Sequence, residues 1–396
     1  MDYNPLAPDV RRDPYPYYAA LRRDQPVYRI EALGGAYAIS RYEDVLFAVT
    51  RHDLFSSTGF SGTNIDGRPA KMMIFTDPPD HTRLRNLVNR GFTPRMVADL
   101  EPRIREVTRE LVDRIAVAGT TDLVADLAMP LPVTIIAEIL GVDPAHKEDF
   151  KRWSDWIVLD FFNQISEEQQ PQYESDMETF KQYFQRVVEE RRSQPRADLI
   201  SALVRAETEQ QALTADEVLV FIVLLLVAGN ETTTNLLGNA VIALLEHPDE
   251  LAKVRRDRAL VPNLVEEALR YDAPVQFLLR RATEDAELAG TAIPRDAMVL
   301  AIFASANRDE RRFPDPDRFD VTRDAQGHLS FGHGIHFCLG APLARLEAAI
   351  ALEEIIGRLH DLRRVEESIE FIDAPFLRGP KRLPLAFTPI ETAVRS

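Results

Sequence analysis

Residues 331–340 read FGHGIHFCLG, and Ala341-Pro342 opens a helix directly after them. Gly332, Gly334 and Gly340 let the backbone turn tightly and approach another group closely. Cys338 stands just upstream of the helix N-terminus, where unpaired amide donors and partial positive charge favour an anionic sulfur. It is the one cysteine of the chain, so no intramolecular disulfide forms. A thiolate is the form that ligates metal. Two blander readings compete. His333, His336 and Cys338 as zinc ligands match no standard spacing and lack a second cluster. A small buried cysteine in a glycine turn is the other, and loop glycines mark turns with or without function. From these residues alone the choice between a ligating thiolate and a plain turn stays even.

Upstream, Leu213 to about Glu246 is the longest helical candidate, opened by a capping box of Thr214 and Glu217. Its apolar run Val218–Ala228, VLVFIVLLLVA, passes into Gly229-Asn230-Glu231-Thr232-Thr233-Thr234 without leaving helical register. Glycine costs up to about 1 kcal/mol against alanine in a helix interior, and a threonine run also loses propensity. Local rule-breaking of this kind tends to mark function. A helix kink with side chains bonding to the preceding turn explains the same residues about as well.

Elsewhere long amphipathic stretches dominate. Asp13–Asp24 reads as a helix, VYRI and AYAI as two strands around Gly34-Gly35, and RYEDVLFAVTR as a helix. Residues 56–74 read as a long irregular loop, and DPPDHTRLRNLVNRGF begins a further helix. Residues 274–303 form short strand-like segments, a Pro- and Asp-rich meander follows, and FIDAPFLRGPKRLPLAF reads as a strand hairpin. The fold class is mainly α with a minor β region, one domain over residues 1–396. A net charge of −16 makes a poor partner for a phosphate backbone, so nucleic acid is not expected. The N-terminus has neither a signal peptide nor an anchor, and the eleven-residue apolar run falls short of the roughly 20 residues a span needs. The expectation is a cytoplasmic, membrane-free monomer.

FGHGIHFCLG resembles the haem-binding loop of the cytochrome P-450 family, Phe-x-x-Gly-x-x-x-Cys-x-Gly, with every defining position present. The resemblance implies haem b as cofactor, Cys338 as proximal iron ligand, Phe331 packed beside the sulfur and His336 on a haem propionate. An iron-bound thiolate pushes electron density to the iron and favours O–O cleavage. AGNET resembles the family's small-Gly-x-acid-Thr motif. That implies a distorted helix leaving room for oxygen at Ala228 and Gly229, with Thr232 handing on protons and Glu231 linking it to bulk water. His81 and Arg85, four apart on one helix face, are otherwise unremarkable solvated residues. By resemblance they are propionate contacts, for which a bidentate arginine is suited. Arg280, in preference to Arg281, is implied as another. Glu267 and Arg270, an ordinary helix pair worth a few tenths of a kcal/mol in isolation, match the family's Glu-x-x-Arg element, with Arg318 as its third, meander member. Their implied role is structural. Asp296 stands where a glycine is common, so the turn there is expected to differ.

The reaction implied is insertion of one atom of O2 into a lipophilic small molecule, by hydroxylation or epoxidation. Electrons would come from NAD(P)H through a reductase and a ferredoxin- or flavodoxin-type carrier docking over the thiolate face. A peroxide-dependent relative and a non-catalytic haem sensor or carrier are the rivals, and an intact Glu231-Thr232 argues against both. Candidate pocket walls are Phe60, Met72 and Met73 in the loop, Phe161 and Phe162, Val227 on the long helix, Val275, Phe277 and Leu278, and Phe376-Leu377. Core packing explains each of them equally well.

Overall fold

The computed structural model describes residues 2–60, 64–65, 68–69, 72–161, 164–205 and 213–389. In chain order these form α1 (Pro8–Arg12), α2 (Tyr15–Asp24), β1 (Val27–Ile30), β2 (Ala36–Ile39), α3 (Tyr42–Thr50), β3 (Phe55–Ser56), β4 (Asn64–Ile65), β5 (Arg68–Pro69), α4 (Asp80–Gly91) and α5 (Pro94–Ala116). Then come β6 (Thr120–Asp122), α6 (Pro130–Leu140), α7 (Lys147–Phe161), α8 (Gln170–Ser193), α9 (Leu199–Arg205), α10 (Ala215–Glu246), α11 (Pro248–Arg256) and α12 (Val261–Tyr271). Last are β7 (Leu278–Ala282), β8 (Ala286–Leu288), β9 (Thr291–Ile293), β10 (Met298–Ala301), α13 (Phe303–Ala306), α14 (Ala341–Arg358), β11 (His360–Arg364) and β12 (Pro384–Thr388). The chain is mainly helical with a minor β part, as its patterning requires. It divides into two compact units, Met1–Ser57 with Arg103–Met129 and Thr232–Ser396, and Thr58–Pro102 with Pro130–Glu231.

The first unit is organised by β10, whose apolar run leaves no polar face. Its sheet has the order β1-β2-β10-β7-β3, with β10 parallel to β2 and antiparallel to β7. Alternation sends Val299 and Ala301 into a core with Ile39, Val45 and Phe55. Leu300 and Ile302 go into a second core with Ala36, Ala38 and Tyr18. A strand buried on both faces reads as a continuous hydrophobic run, and MVLAIF is one. Asp296 takes the left-handed conformation (φ 65°) in the turn before β10, the geometry a glycine adopts freely.

The tail, expected as a strand hairpin, folds back through a single bridge between Phe371 and Pro380. Its one strand, β12, pairs instead with β11 and β6. Two backbone bonds flank that bridge, from Ile372 N to Gly379 O at 3.0 Å and from Lys381 N to Glu370 O at 2.8 Å. In the second unit, the expected irregular loop of 56–74 contains the β4–β5 pair and a 3-10 turn at Met73–Phe75.

The capping box exists as read. Thr214 N donates to Glu217 Oε2 (2.9 Å) and Glu217 N to Thr214 Oγ1 (3.1 Å); Glu217 also pairs with Arg83 of α4. From there α10 runs as unbroken α-helix through Ala228–Thr234, so the expected distortion does not interrupt it. Among the described residues it is the one helix long and apolar enough to cross a membrane, and most of it is buried inside the protein.

On α12, Glu267 and Arg270 are both fully buried and bonded twice, at 2.7 and 2.8 Å. Arg270 also donates to the carbonyls of Asn307, Pro316 and Arg318, at 3.1, 2.8 and 3.3 Å. The third arginine is not Arg318. That side chain is 62% exposed and turns to Asp320 at 3.5 Å. Arg323 Nε donates to Glu267 Oε1 at 3.3 Å, beside the amide of Asp320 at 2.9 Å. The meander explains the exchange: the carbonyl of Arg318 faces inward to Arg270 and Arg323, so its side chain faces out. Removing one partner of a buried pair costs on the order of 3–5 kcal/mol because the other charge stays buried. We expect Glu267→Ala to lower the thermal midpoint sharply and reduce haem incorporation. We also expect Arg323→Ala to cost more than Arg318→Ala; a stable Glu267→Ala holoprotein with normal haem content contradicts the structural role.

Candidate functional site

Gly332 and Gly334 hold left-handed φ values of 68° and 69°. A Cβ at Gly334 would also stand 3.3 Å from the carbonyl of Val49. These turns let Cys338 N donate back to Phe331 O at 2.9 Å, and Gly332 N to Leu329 O at 2.8 Å. Cys338 therefore sits at the closed neck of the loop, three residues before α14 begins. Residues 331–340 are all exposed or half-buried, while Ser330 and Ala341 on either side are buried. Cys338 is held on a loop closed by backbone hydrogen bonds and is half-buried, unlike a fully buried core cysteine.

Glu266 and Arg345 anchor this loop, and the sequence did not point to them. Arg345 lies over the Phe331 ring at 4.5 Å and is gripped by Glu266 at 2.6 and 2.9 Å. His328 Nε2 lies 3.2 Å from the same carboxylate. Burial opposes the charge on Glu266, but the bonds from His328 and Arg345 outweigh it and hold the carboxyl down to about 2. Asn307 accepts from Leu329 N (2.6 Å) and donates to Ser330 Oγ (2.8 Å), while Ser330 Oγ donates to Leu269 O (2.6 Å). The signal available was Glu266 beside Glu267, but its partner lies 79 residues away.

Along α10, residues 218–244 are buried except Leu224, Leu225, Ala228, Gly229, Glu231 and Thr232. Spacings of three, four and seven put these on one face, an open stripe in the middle of a core helix. A Cβ at Gly229 would meet the Ile136 side chain of α6 at 2.9 Å, so a larger residue would have to displace the end of that side chain. Thr233 and Thr234 are buried, and Thr234 Oγ1 donates to Ala128 O at 3.0 Å. The threonine run thus divides, with Thr232 alone on the open stripe. Burial, then the negative charge of Asp155, raises the Glu231 carboxyl above its ordinary range.

His81 is buried on α4 and Arg85 is half-buried one turn later. On β7, Arg280 is buried and donates to Leu279 O at 2.8 Å. Arg281 points outward to Asp296 at 3.3 Å, which separates the twin arginines. His336 is half-buried at the end of the Gly334–His336 turn. Among the described residues no three His, Cys, Asp or Glu side chains converge as metal ligands, so the zinc reading of His333, His336 and Cys338 finds no support. In the first unit the thiol of Cys338, with the buried Arg280 and half-buried His336, and in the second the buried His81 and half-buried Arg85, are the side-chain types that suit a haem's iron and propionates.

The candidate pocket residues divide. Phe277 lies in a packed core with Val10, Tyr18 and Leu21 and is a core residue, since its place in the sheet margin turns it away from solvent. Val275 and Leu377 are bridged to each other, and Phe376 is half-buried. Met72 and Val227 are buried. Phe60 packs near Phe75 with ring centroids 6.4 Å apart. Met73 lines a small surface cleft with Leu84, Val88, Glu217, Val220, Phe221 and Leu224. Phe161 ends α7 with its side chain outside the description, and Phe162 lies outside the described residues.

The sequence model of the family described as Cytochrome P-450 matches residues 11–387. The chain is 42% identical to cytochrome P-450 monooxygenase PikC of Streptomyces venezuelae, over 97% of this chain and 94% of that one. It is 40% identical to 6-deoxyerythronolide B hydroxylase of Saccharopolyspora erythraea, over 96% and 98%. The structure of cytochrome P-450 CYP109Q5 from Chondromyces apiculatus superposes with a TM-score of 0.91 at 45% identity, covering 99% of both chains. The family model and these relatives define a haem-iron oxidoreductase. The chain belongs to the cytochrome P-450 family and is a monooxygenase of that family.

The Glu266 grip has a pH signature. Its folded carboxyl lies below the unfolded value near 4.5, so its contribution is complete above that value and is lost as pH falls toward about 2. In urea titrations we expect wild type to exceed Glu266→Gln in stability at pH 6, and the gap to shrink by roughly 1 kcal/mol by pH 3.5. A gap independent of pH contradicts the assignment.

Proposed function

We propose that the protein holds haem b and inserts one atom of O2 into a lipophilic small molecule, by hydroxylation or epoxidation. The observation that carries this reading is the accessible thiol of Cys338 at the neck of the glycine-turned loop. Cys338 would supply the axial sulfur, on a loop whose backbone is built by Phe331, Gly332 and Gly340. His81, Arg85, Arg280 and His336 would hold the propionates, and Ala228 with Gly229 would leave space on the oxygen side. When bound, the haem supplies a redox-active iron that activates O2.

The chain's own task is to manage protons and exclude water. Glu231 holds a proton above the ordinary carboxylate range because its surroundings are desolvated. Thr232, next along the open stripe, offers a hydroxyl that both accepts and donates. This acid–alcohol pair favours an O2-driven reaction over a peroxide-driven one, since peroxide brings its own protons. It also favours an enzyme over a haem carrier, which needs no such pair.

The apolar side chains of Met73 and Leu224 in the second unit, and of Val275, Phe376 and Leu377 in the first, are each of the type that would line a lipophilic substrate's site. Electrons would come from NAD(P)H through a ferredoxin- or flavodoxin-type carrier and its reductase. A monomer in the cytoplasm completes the reading.

The test uses a surrogate reductase and carrier with a compound selected by its high-spin spectral shift. We expect Thr232→Ala to bind haem normally while losing roughly ten-fold or more of product formation, with the reducing equivalents recovered as hydrogen peroxide. Coupling equal to wild type contradicts the proton assignment.

A further inference from the structure

Ser154 and Asp155 are consecutive on α7, as Asn230 and Glu231 are on α10. Asn230 Nδ2 lies 3.5 Å from Ser154 Oγ, and both residues are buried. This contact brings α7 and α10 together at these positions, and Asp155, the next residue, acts electrostatically on Glu231. Asn230 Oδ1, also buried, has no hydrogen-bond partner among the described residues, which leaves an acceptor at the crossing.

The two carboxylates differ in access. Asp155 is exposed, whereas Glu231 is half-buried. The other neighbours leave them to each other. Ile136 of α6, packed on Gly229, is apolar. Asp176 of α8 is taken up by Arg152, Trp156 and Gln172. Lys151, one turn before Asp155, is the charged group that acts on it, and it favours the ionised carboxylate. Among the described residues Asp155 is the charged group acting on Glu231.

Two carboxylates in a partly desolvated site do not both ionise readily; the pair retains a proton that each alone would release. We propose that Asp155 is a positioning residue of the oxidation, an outer carboxylate beside the Ser154–Asn230 contact that holds a proton on Glu231 and refills it from solvent. The inference rests on the assignment of Glu231 and Thr232 to proton delivery. In that sequence Glu231 gives its O–H proton to the Thr232 oxygen as the Thr232 hydroxyl releases its own proton inward. The pair is then one proton short. Asp155 takes a proton from solvent water and passes it to Glu231, restoring the starting state. One proton has moved inward, only O–H bonds have changed, and no electrons have moved. A merely solvated Asp155 would leave the titration of Glu231 unmoved.

The test is an infrared pH titration of the ferric holoenzyme, following the C=O stretch of protonated carboxyls. The Glu231 band is assigned by its loss in Glu231→Gln. We expect Asp155→Asn to lower the midpoint of that band by about one pH unit or more, and Asp155→Glu to keep it near wild type. In parallel, carrier-driven NADH oxidation without added substrate should slow several-fold in Asp155→Asn. Its alkaline limb should move to lower pH, and Asp155→Glu should restore both. An unmoved midpoint in Asp155→Asn overturns the proposal. If Glu231→Gln slows turnover while Asp155→Asn changes neither readout, proton delivery by Glu231 stands and the role of Asp155 falls. If Glu231→Gln turns over like wild type, the delivery assignment itself falls.

Discussion

A single sulfur must be accessible and yet immobile, and much of the first unit serves that requirement. Backbone turns at Gly332 and Gly334 present Cys338 at the neck of its loop, and the start of α14 lies just beyond it. Neither feature would hold without the layer beneath. Glu266 clamps Arg345, which covers Phe331, while Ser330 and Asn307 tie the loop to α12 and the meander. One residue further along α12, Glu267 and Arg270 fasten the meander itself. Two adjacent glutamates thus hold two consecutive segments, and both draw on charge-assisted bonds in places where an unpaired charge would be costly.

The long helix solves the opposite problem. A helix this buried would be most stable as an unbroken apolar cylinder, yet it carries Gly229, Asn230, Glu231 and three threonines at its middle. The structure keeps the helical hydrogen bonding and confines the departure to one stripe. Gly229 admits Ile136 on one side, Thr234 and Asn230 find partners in neighbouring segments, and Glu231 and Thr232 lie half-buried on the stripe. Propensity is sacrificed where chemistry needs polar groups in a low-dielectric place, the pattern expected when local rules yield to function.

Local patterns in the sequence carry much of this account. The glycine spacing around Cys338, the Thr214–Glu217 capping box and the doubly buried β10 each depend on neighbours within a few residues, so they could be read directly. Pairings across the chain could not. Arg318 fits the expected spacing, but the turn of the meander points its carbonyl inward and gives its place to Arg323. Phe277 has the composition of a pocket wall and the position of a core residue, because composition does not record which side of a sheet margin faces out. The Glu266–Arg345 clamp and the approach of Asp155 to Glu231 depend on helix packing, which leaves no periodic trace in either segment.

The most direct test of the central claim is the carbon monoxide difference spectrum of the dithionite-reduced protein, wild type beside Cys338→Ala. A strongly red-shifted Soret band in wild type that disappears in Cys338→Ala is the predicted result. An imidazole-like spectrum in carefully reconstituted wild type, or a red-shifted band that survives the substitution, would contradict ligation by Cys338.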